Sequence, residues 1–307
     1  MTPYRNLALF LVLAAIWGSA FMAINAGLAY FPPVLFAALR YDIAAVVMLA
    51  YAAYVVDDPI PRGRGQWTVV AIGATLIIAA YHALLFLGEA DPAVTSAIAA
   101  VIVSLSPVLT TVFARVLLPN ERLTPLGIVG LLVGLLGAVI LAAPDPTNLL
   151  GDGTIAKLLV LGAAAAFALG SVLTKAVDAD LPIETMEAWS MLLGAIIMHV
   201  VAVGLGESMA DIVWTTEAVL ALAYLALAAS AVGFLIYFDL LDRLGPIEIN
   251  LVSYVAPIFA ALSGWLFLSE GLTPETVAGF LCICAGFALV KRTAIRAELR
   301  RRGIGSS

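Results

Sequence analysis

The stretch Glu121-Arg122-Leu123-Thr124-Pro125 returns, with one substitution, as Glu270-Gly271-Leu272-Thr273-Pro274. Glycines follow each proline at the same two intervals, as Gly130 and Gly137 in the first copy and as Gly279 and Gly286 in the second. A motif that recurs with conserved spacing indicates repeated structural units. The copies lie half a chain apart, so the sequence predicts two related halves.

The composition identifies lipid as the solvent of this chain. Hydrophobic residues make up 63% of its 307 residues, charged residues make up 12%, and the mean hydropathy is +1.09. Soluble domains carry roughly twice this charged fraction, about 25%. The net charge of −6 lacks the basic footprint of nucleic-acid binding. The lipid bilayer is therefore an expected partner, and nucleic acid is not.

Ten apolar segments reach or approach the length of about 20 residues that a membrane-spanning helix needs. They cover residues 7–29, 34–55, 67–87, 93–117, 126–142, 155–177, 184–205, 217–238, 247–268 and 274–290. Breaker residues such as Pro32-Pro33 and Gly245-Pro246 separate them. Because the connectors are short, the sequence predicts an all-α membrane protein without an inserted soluble domain.

The basic residues fall on one side of this predicted topology. If both termini are cytoplasmic, the cytoplasmic segments contain all of the 15 Lys and Arg residues except Arg40 and Lys157. Such a bias follows the positive-inside rule, which predicts a multi-pass protein of the cell membrane with both termini in the cytoplasm. The loops on the other side are acidic, and Glu89 is expected in one of them.

Each predicted half contains five spans, an odd number, so the second half enters the membrane from the opposite side. The predicted units are residues 7–142, residues 155–290 as the inverted repeat, and a basic cytoplasmic tail, 291–307. In this alignment Trp17 corresponds roughly to Phe167. Inverted repeats are typical of secondary transporters. Two such halves can exchange inward-open and outward-open arrangements at nearly equal energy, so a site between them is exposed alternately.

The sequence resembles the drug/metabolite transporter superfamily in its ten-span, EamA-type branch. The resemblance covers residues 7 to 290 and rests on Trp17-Gly18-Ser19, Arg40, Ser106-Pro107, Ala256-Pro257 and the two Glu-x-Leu-Thr-Pro motifs with their trailing glycines. It implies a transporter of small metabolites, often an exporter of amino acids or related compounds. Substrates vary widely in that family, so the resemblance does not identify this one.

Pro107 and Pro257 lie inside apolar runs and are predicted hinges. Proline removes one hydrogen bond of a helix, which frees the carbonyl groups of Val103 and Ser253. Within a membrane such groups are tolerated where protein or a water-lined cavity satisfies them. A static kink is the alternative, but the duplication favours a functional role.

The repeated motif is interpreted first as a device that starts helices. Thr124 and Thr273 are suited to cap the helix N-terminus, with Pro125 and Pro274 in the first helical position. Substrate binding by the glutamates is the less favoured alternative. The glycines that follow, together with Gly134, are suited to close packing of helices.

Arg40 and Asp42 are the charged residues deepest within a predicted span. Intramembrane charges are costly and usually face a cavity or a partner. Two residues apart on a helix, the side chains point to nearly opposite faces, so mutual pairing is not expected. Arg40 is a candidate to bind a substrate carboxylate, and Asp42 a candidate to carry a proton. Equally, each could pair with a neighbouring helix or reach the interface.

Polar and aromatic side chains on several spans complete the predicted substrate-binding set. Lone membrane histidines more often hydrogen-bond a neighbour than bind substrate, which applies to His199, whereas His82 adjoins Tyr81. Glu187 is expected to reach the interface. Besides Arg40 and Asp42, the predicted binding residues are Trp17, Asn25, Tyr81, His82, Ser106, Tyr237, Asn250 and Tyr254.

These features predict a secondary transporter that exports a small neutral or zwitterionic metabolite, such as an amino acid, by alternating access. The sequence shows no phosphate loop, metal cluster or nucleophile triad, so no enzyme activity, metal or cofactor is expected. An intramembrane enzyme would need such a set, and a membrane scaffold would not need an inverted repeat. A proton is a candidate coupling ion, and the sequence is compatible with a monomer or a homodimer.

Overall fold

The structure is a computed structural model that describes residues 3–94, 96–117, 125–142, 153–177, 179–268, 274–290 and 292. This part of the chain forms helices joined by turns and contains no strand. The predicted all-α class is therefore confirmed. The Glu-x-Leu-Thr parts of both motifs, with their predicted threonine caps, lie outside the described residues, as does the predicted tail except Arg292.

The helices follow the predicted spans to within a few residues at most ends. Those of the first half are α1 (Pro3–Leu28), α2 (Pro33–Val55), α3 (Gly63–Ile72), α4 (Tyr81–Glu89), α5 (Ser96–Val103), α6 (Ser106–Leu117) and α7 (Pro125–Ala142). Those of the second half are α8 (Thr154–Ala176), α9 (Ile183–Gly204), α10 (Thr216–Ala223), α11 (Gly233–Leu244), α12 (Pro246–Asn250), α13 (Val252–Leu268) and α14 (Pro274–Val290).

Eight helical stretches of the described chain are long and apolar enough to cross a membrane. They are Arg5–Leu28, Pro33–Val55, Gly63–Glu89, Ile98–Leu117, Thr154–Ala176, Ile183–Gly204, Thr216–Leu244 and Glu248–Phe267. The apolar stretch of α7, Pro125–Gly137, is shorter, and α14 has 17 residues. Large apolar side chains such as Val46, Val116 and Val203 project outward, as expected of a multi-pass membrane protein.

The helices that follow the repeated motif, α7 and α14, pack against each other through glycines. The described parts of both helices begin at the motif prolines, Pro125 and Pro274, and the predicted threonine caps before them stay predictions. A Cβ atom at Gly286 would lie 2.4 Å from the backbone nitrogen of Gly134 and 2.6 Å from the carbonyl oxygen of Gly130. The two backbones therefore approach more closely than a side chain would allow, which is the close packing that the glycines predicted.

The second helices of the two halves, α2 and α9, lie side by side and antiparallel. Just after α9, Glu207 accepts hydrogen bonds from the backbone N–H groups of Val34 at 3.1 Å and Leu35 at 2.6 Å, at the start of α2. A carboxylate at a helix N-terminus accepts hydrogen bonds from N–H groups that have no partner within the helix. Its negative charge is also attracted to the positive end of the helix dipole. At the other end, Nε1 of Trp189 donates to the carbonyl oxygen of Pro59 at 2.8 Å.

Two π-helical segments occupy the same place in the two halves. One, π1 (Gly73–Ala80), joins α3 to α4, and the other, π2 (Tyr224–Val232), joins α10 to α11. The sequence analysis did not predict them. Such segments insert an extra residue into a helical turn and are frequent at functional sites.

The two prolines predicted as hinges have different surroundings. In the first half α5 ends at Val103 and α6 begins at Ser106, so Pro107 comes directly after a helix break. In the second half Pro257 lies inside the continuous helix α13, and the break falls at Leu251, between α12 and α13. The interruption therefore lies at the proline in one half and before it in the other.

Candidate functional site

A small cavity lies between the two halves. Its walls come from α1, α2, α4 and α5 of the first half and from α8, α11 and α13 of the second. The lining residues are Trp17, Ala20, Phe21, Ile24, Arg40, Tyr81, His82, Leu85, Ala100, Val103, Phe167, Phe234, Ser253 and Ala256. The structure thus brings together Trp17, Arg40, Tyr81 and His82 from the predicted binding set.

The cavity has a volume of about 40 Å³. One water molecule needs roughly 10–15 Å³ by this measure, so the site has room for about three waters. An amino acid has more non-hydrogen atoms than three waters. Its binding therefore requires the walls to separate from the arrangement seen here.

Arg40 supplies the positive charge of the cavity wall, and only 3% of its surface is exposed. Its Nε donates to Oγ of Ser230 in π2 at 2.6 Å, a bond that joins the two halves. Its Cζ lies 5.2 Å from the centre of the Tyr41 ring. The ion pairs of the described chain leave this guanidinium without a carboxylate partner. Its charge is therefore available to a bound anion.

His82 is held in one orientation beside Arg40. Its Nδ1 lies 2.9 Å from the carbonyl oxygen of Ile78 in π1, and its Nε2 lies 2.8 Å from the hydroxyl of Tyr41. A carbonyl oxygen only accepts hydrogen bonds, so Nδ1 carries a proton and, in the neutral ring, Nε2 accepts from Tyr41. His82 is 2% exposed and Tyr41 is fully buried. The cavity therefore has a fixed polar wall next to its positive charge.

Trp17 forms the aromatic wall opposite these groups. Its indole Nε1 donates to the carbonyl oxygen of Ala229 in π2 at 3.1 Å. Its ring centre lies 5.8 Å from that of Phe167 and 5.2 Å from those of Phe234 and Tyr237. Aromatic pairs at these separations stabilise one another. Both π segments thus supply carbonyl oxygens that orient a cavity side chain.

Tyr237 and Asn250 support the cavity from behind its wall. The hydroxyl of Tyr237 lies 2.5 Å from Oγ of Ser171 and 3.1 Å from Oδ1 of Asn250. Nδ2 of Asn250 donates to Oγ1 of Thr110 at 2.8 Å. All four side chains are fully buried. This cluster joins four helices, α6, α8, α11 and α12, beneath the Trp17 ring.

The remaining predicted binding residues lie apart from the cavity wall. Asn25 is exposed on α1, and Ser106 is buried with its hydroxyl unpaired among the described residues. Tyr254 donates to a backbone carbonyl of α7 at 2.9 Å. Asp42 pairs with His199 of α9 at 2.7 Å, so Arg40 and Asp42 contact different partners, as their spacing predicted.

Two carboxylates that were expected at the membrane surface, Glu89 and Glu187, are buried in the structure. Glu89 was expected in an exposed loop, but it is the last residue of α4 and is 3% exposed. Glu187 was expected to reach the interface, but it is fully buried in α9. Within the described structure neither carboxylate has a hydrogen-bond partner. Neighbouring helices cover both carboxylates. The predicted ends of the membrane spans do not contain this information.

Several cavity residues were missing from the predicted set although signals for them existed. Phe167, which the predicted repeat alignment pairs roughly with Trp17, contacts it. Val103 and Ser253 are the residues whose carbonyl groups the two prolines were predicted to free, and both line the cavity. Phe234 carried no signal beyond its aromatic ring.

The chain has recognisable relatives over nearly its whole length. The sequence profile of the EamA-like transporter family matches residues 5–143 and, a second time, residues 154–292. The chain belongs to the EamA-like transporter family. This confirms the predicted membership of the drug/metabolite transporter superfamily and the twofold character of the sequence.

Individual relatives of this EamA-family protein are named as transporters. The uncharacterized inner membrane transporter YedA of Escherichia coli (strain K12) is 30% identical over 279 residues, covering 90% of this chain and 86% of that protein. The uncharacterized transporter YoaV of Bacillus subtilis (strain 168) is 27% identical over 271 residues, covering 88% and 91%. A solved structure described as "Crystal structure of protein" covers 97% of this chain and 100% of its own at a TM-score of 0.74 and 22% identity, which shows the shared fold.

Proposed function

We propose that this EamA-family protein is a secondary transporter that exports small metabolites such as amino acids by alternating access between two inverted five-helix repeats. The repeats are residues 7–142 and 155–290. The observation that carries the proposal is the cavity, because both halves contribute to its walls and the Arg40–Ser230 bond crosses between them. A relative movement of the halves changes the site directly.

The proposed topology has ten spans, with both termini and the basic tail in the cytoplasm and the protein in the plasma membrane. The positive-inside bias supports this orientation. The antiparallel contact of α2 with α9 supports the inversion, because corresponding helices of inverted repeats run in opposite directions. In this topology α7 and α14 complete the two repeats.

The chemistry of the cavity favours a zwitterionic substrate with an apolar side chain. Arg40 offers a charge for a carboxylate, and a buried charge-assisted hydrogen bond is among the stronger ones that proteins make. The aromatic rings of Trp17, Phe167 and Phe234 offer a surface for an apolar group. An amino acid has both parts.

The proposed movement uses the interrupted helices around the cavity. The helix breaks before Pro107 and at Leu251 border lining residues Val103 and Ser253, and both π segments contact cavity side chains. Since the cavity holds about three waters, rearrangement at these points is what admits the substrate.

The same proposal includes proton coupling, with buried carboxylates in place of Asp42 as candidate proton carriers. Asp42 lies on the outer face of α2, away from the cavity wall. Glu89 and Glu187 are instead buried without partners in the described residues. A charge buried without a partner is costly, so each is a candidate to take up and release a proton as its surroundings change.

Counterflow in proteoliposomes tests this function. Vesicles containing the purified protein and an unlabelled amino acid should take up the labelled compound saturably, and a panel of amino acids with and without a pH gradient identifies substrate and coupling. Loss of counterflow in Arg40→Ala, but not in Arg62→Ala, ties the flux to the cavity, because Arg62 lies in an exposed ion pair with Asp58. The alternatives, an intramembrane enzyme or a scaffold, predict no saturable flux with any member of the panel.

A further inference from the structure

An ion pair lies on the outer, lipid-facing side of α2 and α9. Nε2 of His199 and Oδ2 of Asp42 are 2.7 Å apart, and 38% and 42% of their side chains are exposed. The neighbouring exposed residues on the same helices are apolar: Ile43, Val46, Ile196, Val200 and Val203. A polar pair therefore lies at the centre of an otherwise apolar face, which we call the α2/α9 face.

The pair lies within the apolar layer rather than at its edge. With a rise of about 1.5 Å per residue, Asp42 lies about 14 Å from the start of α2 and about 20 Å from its end. His199 lies about 8 Å from the end of α9 by the same measure. The other ion pairs of the described residues lie within the last turns of helices or in the turn after α2.

Each member of the pair retains an unused polar atom. In the described structure neither Oδ1 of Asp42 nor Nδ1 of His199 makes a hydrogen bond. Hydrocarbon offers no partner to such atoms, and intramembrane ionisable groups usually face protein or water. The exposed position is therefore unfavourable for an isolated protein.

We propose that the α2/α9 face is a homodimer interface whose two-fold axis is parallel to the membrane normal. In a two-fold interface the same patch meets itself in reversed order. An acid beside a base is complementary to its own copy, because each Asp42 then faces the His199 of the other protomer. When His199 is protonated, both ring nitrogens donate: Nε2 to Asp42 of the same protomer, and Nδ1 to Oδ1 of Asp42 across the interface, which uses both remaining atoms. Val46, Val200 and Val203 supply the surrounding apolar contact.

Charge and depth favour a second copy over a lipid as the occupant. An anionic headgroup would meet the Asp42 carboxylate as well as His199, and headgroups lie outside the apolar layer. The interface requires that the protein is inserted in a membrane, but it does not require transport. The proposal of a dimer therefore goes beyond the proposed function, and either proposal can be overturned without the other.

Disulfide cross-linking in native membranes tests the interface. In chains with both cysteines, Cys282 and Cys284, replaced by alanine, co-expressed Val46→Cys and Ile196→Cys chains should be joined in a covalent dimer under mild oxidation, because α2 of one protomer faces α9 of the other and both positions are exposed. Val116→Cys on α6, which is at least as exposed, should not form this dimer with either variant. An equal yield of covalent dimer when Val116→Cys replaces one of the two variants, or no covalent dimer between the Val46→Cys and Ile196→Cys chains, overturns the proposal.

The role of the ion pair is tested separately by measuring dimer dissociation in bilayers. Asp42→Asn should raise the dissociation constant about eightfold, because two interhelical hydrogen bonds of typical membrane strength are weakened. The exchange of both residues, Asp42→His with His199→Asp, preserves complementarity and should restore the dimer. A dissociation constant that Asp42→Asn leaves unchanged, or that the exchange does not restore, overturns the role of the pair.

Discussion

The two faces of α2 carry charge for different purposes. On the inner face Arg40 and Tyr41 are buried, contact Ser230 and His82 and border the cavity. On the outer face, one residue further along, Asp42 meets His199 among exposed apolar side chains. A helical rotation of about 100° per residue separates them. Charge in a membrane helix is therefore not evidence for substrate binding until its face is known.

The difference between the two faces of α2 predicts how strongly each substitution reduces transport. Substitutions on the inner face should reduce flux in proportion to the contact they remove. A substitution on the outer face should leave flux nearly unchanged and affect association of the protomers instead. Proteoliposome counterflow measures the first quantity for each variant.

The largest expected effect is that of Arg40→Ala. Loss of the charge removes the proposed carboxylate contact, and hydrogen bonds to charged groups contribute up to about 3 kcal/mol, or roughly 100-fold. Transport efficiency, measured as the ratio of maximal rate to half-saturation concentration, should fall by about that factor. Arg40→Lys should recover part of it, because the charge remains while the planar donor geometry is lost. Normal flux in a well-expressed Arg40→Ala protein contradicts the proposed site.

Ser230→Ala should have the next largest effect. It removes the acceptor that fixes Nε of Arg40 from the other half, and a charge-assisted bond of this kind contributes about 1.5 kcal/mol, or roughly tenfold. The matched control is Ser263→Ala, since Ser263 is also buried but bonds only to its own helix. If the two alanine variants transport equally well, the bond between the halves does not position Arg40.

Tyr41→Phe should give a smaller loss. The ring and its packing remain, but Nε2 of His82 loses its only donor in the described structure, which costs about 1 kcal/mol, or roughly fivefold. Tyr51 is exposed near the end of the same helix, so Tyr51→Phe is the control and should transport normally. Equal behaviour of the two variants would contradict a contribution of the Tyr41–His82 bond to transport.

The sequence predicted the separation of these faces but not the partners of each charge. The spacing of Arg40 and Asp42 follows from helix periodicity alone, whereas Ser230 and His199 meet them only because distant helices pack together. The proline argument located Val103 and Ser253 through a local backbone rule, and both line the cavity.

Packing also explains what the sequence did not reveal. Glu89 and Glu187 are buried by neighbouring helices, and segments π1 and π2 have no composition that distinguishes them from ordinary helix. The duplicated glycines and prolines were more informative because their effect is local. The glycines predicted the close contact between α7 and α14.

The smallest effect on transport is expected for Asp42→Asn. The amide keeps the volume and polarity of the side chain, and no atom of Asp42 lines the cavity, so flux should stay within about twofold at high lipid-to-protein ratio. Asparagine cannot carry a proton, so a tenfold loss with an abolished response to a pH gradient would make Asp42 the coupling residue after all. Glu187→Gln and Glu89→Gln provide the comparison, because loss of that response is expected when a buried proton-carrying carboxylate is replaced. If the response survives Asp42→Asn and is lost in one of these two variants, proton coupling belongs to a buried carboxylate of α4 or α9 and not to the outer face of α2.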